Sequence, residues 1–261
     1  MWSENPAIEE IARKFEAEPL AKFLTIPMVL KQWTEDFGGI KDKRVLDFGC
    51  GFGTTAAGVA LLTGAEKVVG VDINSESRNC LQFLEDSLNM KCLPENLLFE
   101  EISPGQTTSH DQFDCIYSWS VFEHVDLRIL DKIVTDLVGK LKNGGLFFVQ
   151  ISPLYFSPEG SHLWSLGYYR WEHLTYQTSN VEEDVNSQAH LSTEQKLALL
   201  SMYHTLNRVT ADDLIERLTA SGLKLVREQR NQTDLQPPEH LLRAYSATAL
   251  STFQIVALFQ K

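Results

Sequence analysis

The sequence predicts an α/β fold with a doubly wound, mostly parallel sheet. Between residues 44 and 152, short apolar segments rich in β-branched and aromatic residues alternate with segments whose apolar residues recur at helical spacing. The short segments are almost continuously apolar, which is typical of parallel strands buried on both faces. A glycine-rich turn, "GCGFG" at residues 49–53, follows the first of them and opens a helical segment. Strand, glycine turn and helix in this order are characteristic of doubly wound sheets.

The N-terminal residues predict two helices. Asn5 and Pro6 resemble an N-cap and a first helical residue, and a stripe of apolar residues follows them. A second helix is expected over residues 20–36, with an interruption near Pro27 because proline lacks the N–H that a helix interior uses.

The central part of the chain predicts five strands with helices between them. The strands are expected at residues 44–48, 67–72, 96–101, 113–118 and 145–152. A helix is expected over residues 127–141, closed by the Asn143-Gly144 pair. The order of these elements therefore agrees with a parallel sheet covered by helices.

The alternation stops after Ser152. Residues 153–209 are aromatic and polar and contain four of the seven histidines, and we interpret them as a lid that binds the substrate. Regular structure returns with a helix that begins at a capping box at Thr210, followed by strands at 223–228 and 253–260. The predicted parts are a helical cap at 1–39, a ligand-binding core at 40–152, the lid at 153–209, and a helix with two strands at 210–261.

Composition and charge exclude several classes of protein. With 43% hydrophobic and 22% charged residues, the chain is typical of soluble globular proteins. No apolar run approaches the roughly 20 residues of a membrane helix, and the first residues lack a signal-peptide pattern, so we expect a cytoplasmic location. The net charge of −12, without a run of basic residues, argues against a nucleic-acid partner.

The four cysteines do not indicate a metal or disulfide site. Cys50, Cys80, Cys92 and Cys115 form no Cys-x-x-Cys pair, and their spacing matches no zinc finger. We therefore expect reduced thiols.

The glycine turn and Asp72 together indicate a nucleoside site. Asp72 ends the second strand, about 20 residues after Gly51, which is the spacing at which an acid accepts hydrogen bonds from ribose hydroxyls. The missing glycine side chains allow a ligand to approach the backbone. A dinucleotide fingerprint would place a third glycine where Thr54 stands, and Asp47 would repel a pyrophosphate. A nicotinamide-dependent oxidoreductase is therefore the weaker alternative.

Five stretches resemble the class I S-adenosylmethionine-dependent methyltransferases. They are "VLDFGCGFG", "VVGVDIN", "FDCIYSWSVFEHV", "LVGKLKNGGLFFVQ" and "TADDLIERLTASGLKLV". The resemblance covers residues 40–152 and 208–261. It implies a seven-stranded sheet whose last strand is antiparallel, with S-adenosylmethionine as cofactor and S-adenosylhomocysteine as product.

The resemblance also implies the cofactor-binding residues. Asp47 would bind the amino group of the cofactor, Asp72 the ribose hydroxyls, and Ile73 the adenine. The complete expected set is Asp47, Gly49, Cys50, Gly51, Gly53, Asp72, Ile73, Glu101, Ile102, Ser118 and Trp119.

Three residues are candidates for catalysis. Glu123 and His124 follow the fourth strand, at the sheet edge where ligands bind, although such a pair can also orient a loop. His162, in the lid, is the preferred base for an acceptor hydroxyl, with a structural role in the lid as its alternative. In the ubiquinone-pathway O-methyltransferases, which this stretch resembles, an additional Glu joins the Glu-His pair at a divalent metal. Ser120 stands in its place, so we expect no required metal.

The sequence therefore predicts an S-adenosylmethionine-dependent methyltransferase that acts on a small molecule. O-methylation of a sugar, glycan or secondary metabolite is the preferred chemistry. A catalytically silent, methyltransferase-like binding protein is the alternative. The aromatic lid and the N-terminal helix could each form a homodimer contact.

Overall fold

A computed structural model describes residues 19–175 and 178–261. These residues form two compact units. The first contains the described residues up to Ser118 together with Asp136–Phe148 and Gln260–Lys261, and the second contains Trp119–Thr135 and Val149–Phe259. The helix predicted from Asn5 lies outside the described residues. Within the described ranges, no helix combines the length and apolar character needed to cross a membrane.

The elements are numbered in chain order over the described residues. The strands are β1 (Arg44–Phe48), β2 (Lys67–Asp72), β3 (Leu97–Glu101), β4 (Phe113–Trp119), β5 (Leu141–Ile151), β6 (Lys224–Gln232) and β7 (Thr252–Gln260). The helices are α1 (Pro19–Thr34), α2 (Thr54–Leu62), α3 (Cys80–Leu88), α4 (Leu127–Lys140), α5 (Glu172–Thr175), α6 (Thr178–Ser187), α7 (Thr193–Thr205), α8 (Ala211–Ala220), α9 (Glu239–Leu242) and α10 (Ala247–Ser251).

The described strands form one seven-stranded sheet in the order β3-β2-β1-β4-β5-β7-β6. β1 pairs in parallel with β2 and with β4, and β2 pairs in parallel with β3. β7 runs antiparallel to β5, since the Gly144 N–H donates to the Lys261 carbonyl and the Lys261 N–H donates to the Gly145 carbonyl. The predicted fold, including the antiparallel last strand, is confirmed.

The predicted interruption at Pro27 is wrong. α1 is continuous from Pro19 to Thr34 with Pro27 inside it. Pro27 is buried against α2, where a Cβ atom added to Gly58 would lie 2.8 Å from the proline Cγ. The absence of a side chain at Gly58 lets the two helices approach closely. The apolar contact of the proline ring at this crossing offsets the hydrogen bond that the ring removes.

The predicted turn at Asn143-Gly144 has a left-handed glycine, with a φ angle of 76° at Gly144, but the fifth strand begins earlier than predicted. α4 ends at Lys140, and β5 begins at Leu141, so both residues belong to the strand. Their backbone is held in the sheet by the pairing of Gly144 and Gly145 with Lys261 at the end of the chain. That contact joins residues far apart in sequence, so the local pattern could not predict it.

Candidate functional site

The glycine turn joins β1 to α2 in the first unit. Gly49, Gly51 and Gly53 have φ angles of 84°, 49° and 78°, in the left-handed region that favours glycine. The N–H groups of Gly49 and Cys50 donate to the carbonyl of Val71 in β2, at 2.8 and 3.0 Å. The sequence thus folds this stretch as a tight turn fixed to the neighbouring strand.

Two of the glycines are required for different reasons. A Cβ atom at Gly53 would lie 2.7 Å from a ring carbon of Phe99, so packing excludes a side chain there. A Cβ atom at Gly51 would have no described atom within 4 Å. Only the φ angle restricts Gly51, and the turn leaves open space beside its backbone.

Asp72 holds the middle of this turn. One carboxylate oxygen of Asp72 accepts the N–H of Gly51 at 2.8 Å, and the other accepts the N–H of Asn74 at 2.8 Å. Each oxygen keeps a further lone pair for a ligand. The next residue, Ile73, leaves 53% of its surface exposed, so an apolar side chain is available beside the carboxylate. Sequence reasoning predicted Asp72 as a ligand-binding residue and missed its role in shaping the turn.

Asp47 lies in β1 and is buried, with 2% of its surface exposed. Its Oδ2 atom finds no hydrogen-bond partner among the described residues. Burial raises the pKa of Asp47 to about 7, the Tyr117 hydroxyl opposes this shift, and the charge of Asp72 adds to it. A buried carboxylate oxygen without a partner is costly unless a ligand satisfies it, and a cationic group would do so and restore ionisation.

The other expected cofactor residues lie at the ends of β3 and β4. Ile102 is buried and its N–H donates to the Asp72 carbonyl at 2.9 Å, whereas Glu101 is exposed and forms an ion pair with Arg78 at 3.0 Å. Ser118 is fully buried, and its hydroxyl donates to the Phe48 carbonyl at 3.0 Å. Trp119 ends β4 and belongs to the second unit. The structure thus brings Ile102 and Ser118 to the backbone of β2 and β1.

Glu123 and His124 lie in the second unit, in a 3-10 turn that follows β4. Glu123 is 2% exposed, and neither of its carboxylate oxygens has a hydrogen-bond partner in the part of the chain that the structure describes. Burial raises the pKa of Glu123 to about 8. At neutral pH its carboxyl group is therefore mainly protonated and can donate a hydrogen bond.

The hydrogen bonds of His124 determine its tautomer. Its Nδ1 atom lies 3.0 Å from the Thr205 hydroxyl oxygen, and that hydroxyl donates its single hydrogen to the Met202 carbonyl at 2.9 Å. The hydroxyl must therefore accept from His124, which places the ring proton on Nδ1 and leaves a lone pair on Nε2. Burial lowers the pKa of His124, so the neutral ring is the relevant form near pH 7.

His162 lies in the segment predicted as a lid, with a φ angle of 59°. Its Nε2 atom is 3.1 Å from the Pro153 carbonyl oxygen, which can only accept, so the proton of the neutral ring is on Nε2 and the lone pair on Nδ1. Burial, reinforced by His124, lowers the pKa of His162 to about 4. The two rings meet edge to face with their centroids 5.4 Å apart. The structure therefore brings the two candidate bases together.

Two residues near these histidines were not expected to take part in the site. Thr205 and Asn207 contact the turn that carries Glu123 and His124. His173, which the sequence offered as a weaker candidate base than His162, is buried, with its Nε2 atom 2.6 Å from the Tyr155 carbonyl oxygen. No local signal in the sequence distinguished Thr205 or Asn207.

Ser120 occupies the position at which the resemblance would place a metal-binding glutamate. Its hydroxyl donates to the Gln150 side-chain oxygen at 3.0 Å. Over residues 19–175 and 178–261, no three His, Cys, Asp or Glu side chains are arranged to hold a metal ion. The expectation that no metal is required stays a prediction.

Comparison with known proteins decides the family. A family model described as a methyltransferase domain matches residues 25–228, which is more than three quarters of the chain. The chain belongs to the class I S-adenosylmethionine-dependent methyltransferases. This confirms the predicted enzyme class and cofactor, and the nicotinamide-dependent alternative is set aside.

Individual relatives are distant. The chain is 34% identical over 109 residues to sphingolipid C9-methyltransferase 1 of Gibberella zeae, an alignment that covers 41% of this chain and 20% of that protein. The chain thus matches about a fifth of the length of this curated relative. A methyltransferase from Methanosarcina mazei has a similar fold, with a TM-score of 0.55 and 18% identity over 88% of this chain and 96% of that one.

A second similar structure contains the reaction product. Magnesium protoporphyrin IX methyltransferase from Synechocystis, solved with S-adenosylhomocysteine, has a TM-score of 0.53 and 13% identity over 98% of this chain and 95% of that one. At these identities the two structures show the fold.

The first unit of this chain fits S-adenosylmethionine. The buried, unpartnered Oδ2 of Asp47 suits the ammonium group of the methionine portion, and the free lone pairs of Asp72 suit two adjacent ribose hydroxyls. The open space at Gly51 allows a ligand to lie against the backbone. These three features all lie in β1, the glycine turn that follows it, and the neighbouring strand β2.

Proposed function

We propose that this methyltransferase methylates a hydroxyl oxygen of a sugar, glycan or secondary metabolite, with His162 as the base. The observation that carries the proposal is the hydrogen bond between His162 Nε2 and the Pro153 carbonyl. It fixes the ring proton on Nε2 and leaves Nδ1 as an unprotonated nitrogen. An alcohol is a poor nucleophile until its proton is removed, and a positioned imidazole nitrogen provides that acceptor.

The chain supplies positioning and proton transfer. When bound, S-adenosylmethionine supplies an activated methyl group on a sulfonium, so the remaining requirement is an aligned acceptor that can lose its proton. His162 Nδ1 takes the proton. The protonated carboxyl of Glu123, which lacks a partner within the described chain, donates a hydrogen bond to a second oxygen of the acceptor.

The surroundings of His162 suit a polar molecule with apolar faces. The ring centroids of Trp164 and His162 are 5.8 Å apart. The buried Tyr155 packs edge to face against His173, with ring centroids 5.2 Å apart. Aromatic side chains with polar tips are common where proteins bind sugars and other small ring compounds. The lid, residues 153–209, is proposed to exclude water during the reaction.

Methylation of a lipid carbon is the second candidate. It is favoured by the similarity to sphingolipid C9-methyltransferases, two of which match 41% and 44% of this chain. The chain covers only 20% and 22% of those proteins, so a lipid substrate for this chain is a proposal. A carbon acceptor loses its proton after the methyl group is added, and the same His162 nitrogen could accept it.

The two candidates are separated by locating the transferred methyl group. The purified enzyme is incubated with S-adenosylmethionine carrying a deuterated methyl group and with three substrate mixtures: glycans, phenols and unsaturated lipids. Mass spectrometry identifies labelled products, and NMR distinguishes O–CH3 from C–CH3. Label on oxygen supports the first candidate. Label only on a lipid carbon supports the second and overturns the first.

The cytoplasmic location and the homodimer are also proposals. The location rests on composition, and the homodimer rests on the predicted amphipathic N-terminal helix and the aromatic lid. Fractionation of the source cells tests the location, and light scattering of the purified protein measures the assembly. Recovery of the enzyme with membranes, or a monomeric mass, would overturn the respective proposal.

A further inference from the structure

Asn207 holds the backbone of the turn that carries Glu123 and His124. Its side-chain amide donates to the carbonyls of Phe122 and Val125, at 2.6 and 2.8 Å. Its backbone N–H donates to the Glu123 carbonyl at 2.7 Å. One residue thus binds three of the four carbonyls from Phe122 to Val125.

The geometry of Asn207 leaves little freedom. It is buried, and its side-chain oxygen accepts the N–H of Val209 at 3.0 Å. Both hydrogens of the side-chain amide, its oxygen and the backbone N–H are all used. An aspartate could not donate to the two carbonyls, and a shorter side chain could not reach them. Loss of this amide would remove donors from buried carbonyls and leave their desolvation without compensation.

Thr205 acts on the His124 ring itself. Its hydroxyl donates to the Met202 carbonyl and so must accept from His124 Nδ1. Thr205 ends α7 and Asn207 lies two residues later, so a single short segment contacts both the backbone and the imidazole of the Glu123-His124 turn.

We propose that Thr205 and Asn207 are positioning residues of the methyl-transfer site: Asn207 fixes the Phe122–Val125 backbone, and Thr205 fixes the His124 tautomer with its lone pair on Nε2. The inference rests on the proposed function in that Glu123 donates a hydrogen bond to the acceptor and the His124 ring packs against the proposed base, His162. It assigns a role to the C-terminal end of the lid. Neither the motif spacing nor the similar proteins indicate that role. The segment belongs to the second unit and the cofactor-binding turn to the first, so its loss should affect catalysis and leave cofactor affinity unchanged.

NMR of the imidazole nitrogens tests the tautomer directly. ¹⁵N-labelled protein is compared near pH 7 with the Thr205→Val and Asn207→Leu variants, and His124→Gln assigns the signals. In the parent, His124 should show a protonated Nδ1 and an unprotonated Nε2. Both variants should show a mixed or reversed tautomer. An unchanged protonated Nδ1 in both variants would overturn the proposal.

Matched controls separate positioning from general destabilisation. Asn96 donates its side-chain amide to two carbonyls, those of Ala60 and Ala65, in the first unit. Thr135 donates its hydroxyl to a helix carbonyl, as Thr205 does, without a histidine partner among the hydrogen bonds of the described chain. Asn96→Leu and Thr135→Val should lose comparable stability and leave the His124 tautomer unchanged. Thr205 is exposed, so Thr205→Val should fold even if Asn207→Leu does not.

Turnover decides the functional part separately. With the labelled product as readout, Thr205→Val should lower kcat about tenfold, with the KM for S-adenosylmethionine unchanged. Full turnover in Thr205→Val despite an altered tautomer would contradict the positioning role. Full turnover in His124→Gln would instead show that His124 does not contribute to methyl transfer, while the NMR result would still decide whether Thr205 and Asn207 hold the turn.

Discussion

The carboxylate of Asp72 accepts the backbone N–H of Gly51 at 2.8 Å and so connects the end of β2 to the middle of the glycine turn. The same carboxylate is the expected ligand of the cofactor ribose. Its position and that of the turn are therefore coupled: a change at Asp72 alters both the hydrogen bonds to the cofactor and the shape of the surface that receives it.

Asp72→Ala should weaken S-adenosylmethionine binding by about 10- to 100-fold, because a charged hydrogen-bond acceptor contributes about 1.5–3 kcal/mol. Titration calorimetry with S-adenosylhomocysteine measures the loss. Asp86→Ala, at an exposed carboxylate in α3, is the matched control and should bind like the parent. Equal affinity in Asp72→Ala and the control would contradict the assigned site.

Gly51 and Gly53 should respond differently to alanine. Gly53→Ala places a methyl group against the Phe99 ring, so overpacking should lower the free energy of unfolding by about 1–3 kcal/mol. Gly51→Ala meets no described atom within 4 Å, and only its left-handed backbone costs about 1–2 kcal/mol. The added methyl group at Gly51 points into the space proposed for the cofactor.

Urea unfolding and S-adenosylhomocysteine titration of both alanine variants test this difference. For each variant, the loss of cofactor affinity is compared with the loss of unfolding free energy. The ratio of the first to the second should be larger for Gly51→Ala than for Gly53→Ala. If the two variants lost affinity in proportion to their stability alone, the open space at Gly51 would have no role in binding.

Glu123 should make the protein less stable as the pH rises from 6.5 to 8. Its folded pKa of about 8 lies above the ordinary value of 4.5, so the folded state binds its proton more tightly, and the resulting stabilisation falls from about pH 4.5 to about pH 8, a range that includes this window. Asp47, with a pKa of about 7, acts in the same direction. The lowered pKa values of His162 and His173, about 4 each, act in the opposite direction, but only below about pH 6.5.

The measurement is the free energy of unfolding in urea between pH 6.5 and 8. The parent should lose up to about 1.4 kcal/mol per pH unit for each proton involved. Glu123→Gln, which cannot ionise, should show a smaller slope, and Glu95→Gln, at an exposed position, should show the slope of the parent. Identical slopes in all three proteins would show that Glu123 is already ionised below pH 6.5.

Local sequence patterns were sufficient for the cofactor side of the molecule. β1, the glycine turn, α2 and Asp72 lie within 30 residues, and their hydrophobic period, turn chemistry and spacing specify the arrangement. Packing between distant elements decided the cases that failed. Pro27 stays within a helix because it is buried against Gly58, and Asn143-Gly144 joins a strand because Lys261 pairs beside it.

The residues proposed for catalysis depended even more on distant contacts. Asn207 reaches carbonyls more than 80 residues earlier in the chain, and His124 pairs with Thr205 across a similar separation. Nothing in "TLNRVT" distinguishes an asparagine that binds such a turn from an exposed one. Burial, and with it the raised pKa of Glu123 and the lowered pKa of His162, is a property of the folded chain rather than of any motif.

The assignment of His162 as the base is tested most directly by following deuterated methyl transfer in His162→Ala and measuring cofactor affinity in parallel. Loss of a general base should lower turnover by about 10²–10⁴-fold, while S-adenosylhomocysteine binding stays within twofold of the parent. His190→Ala, at an exposed histidine of the same lid segment, serves as the control and should retain parental turnover. Parental turnover in His162→Ala would contradict its assignment as the base and leave its aromatic neighbours to position the acceptor.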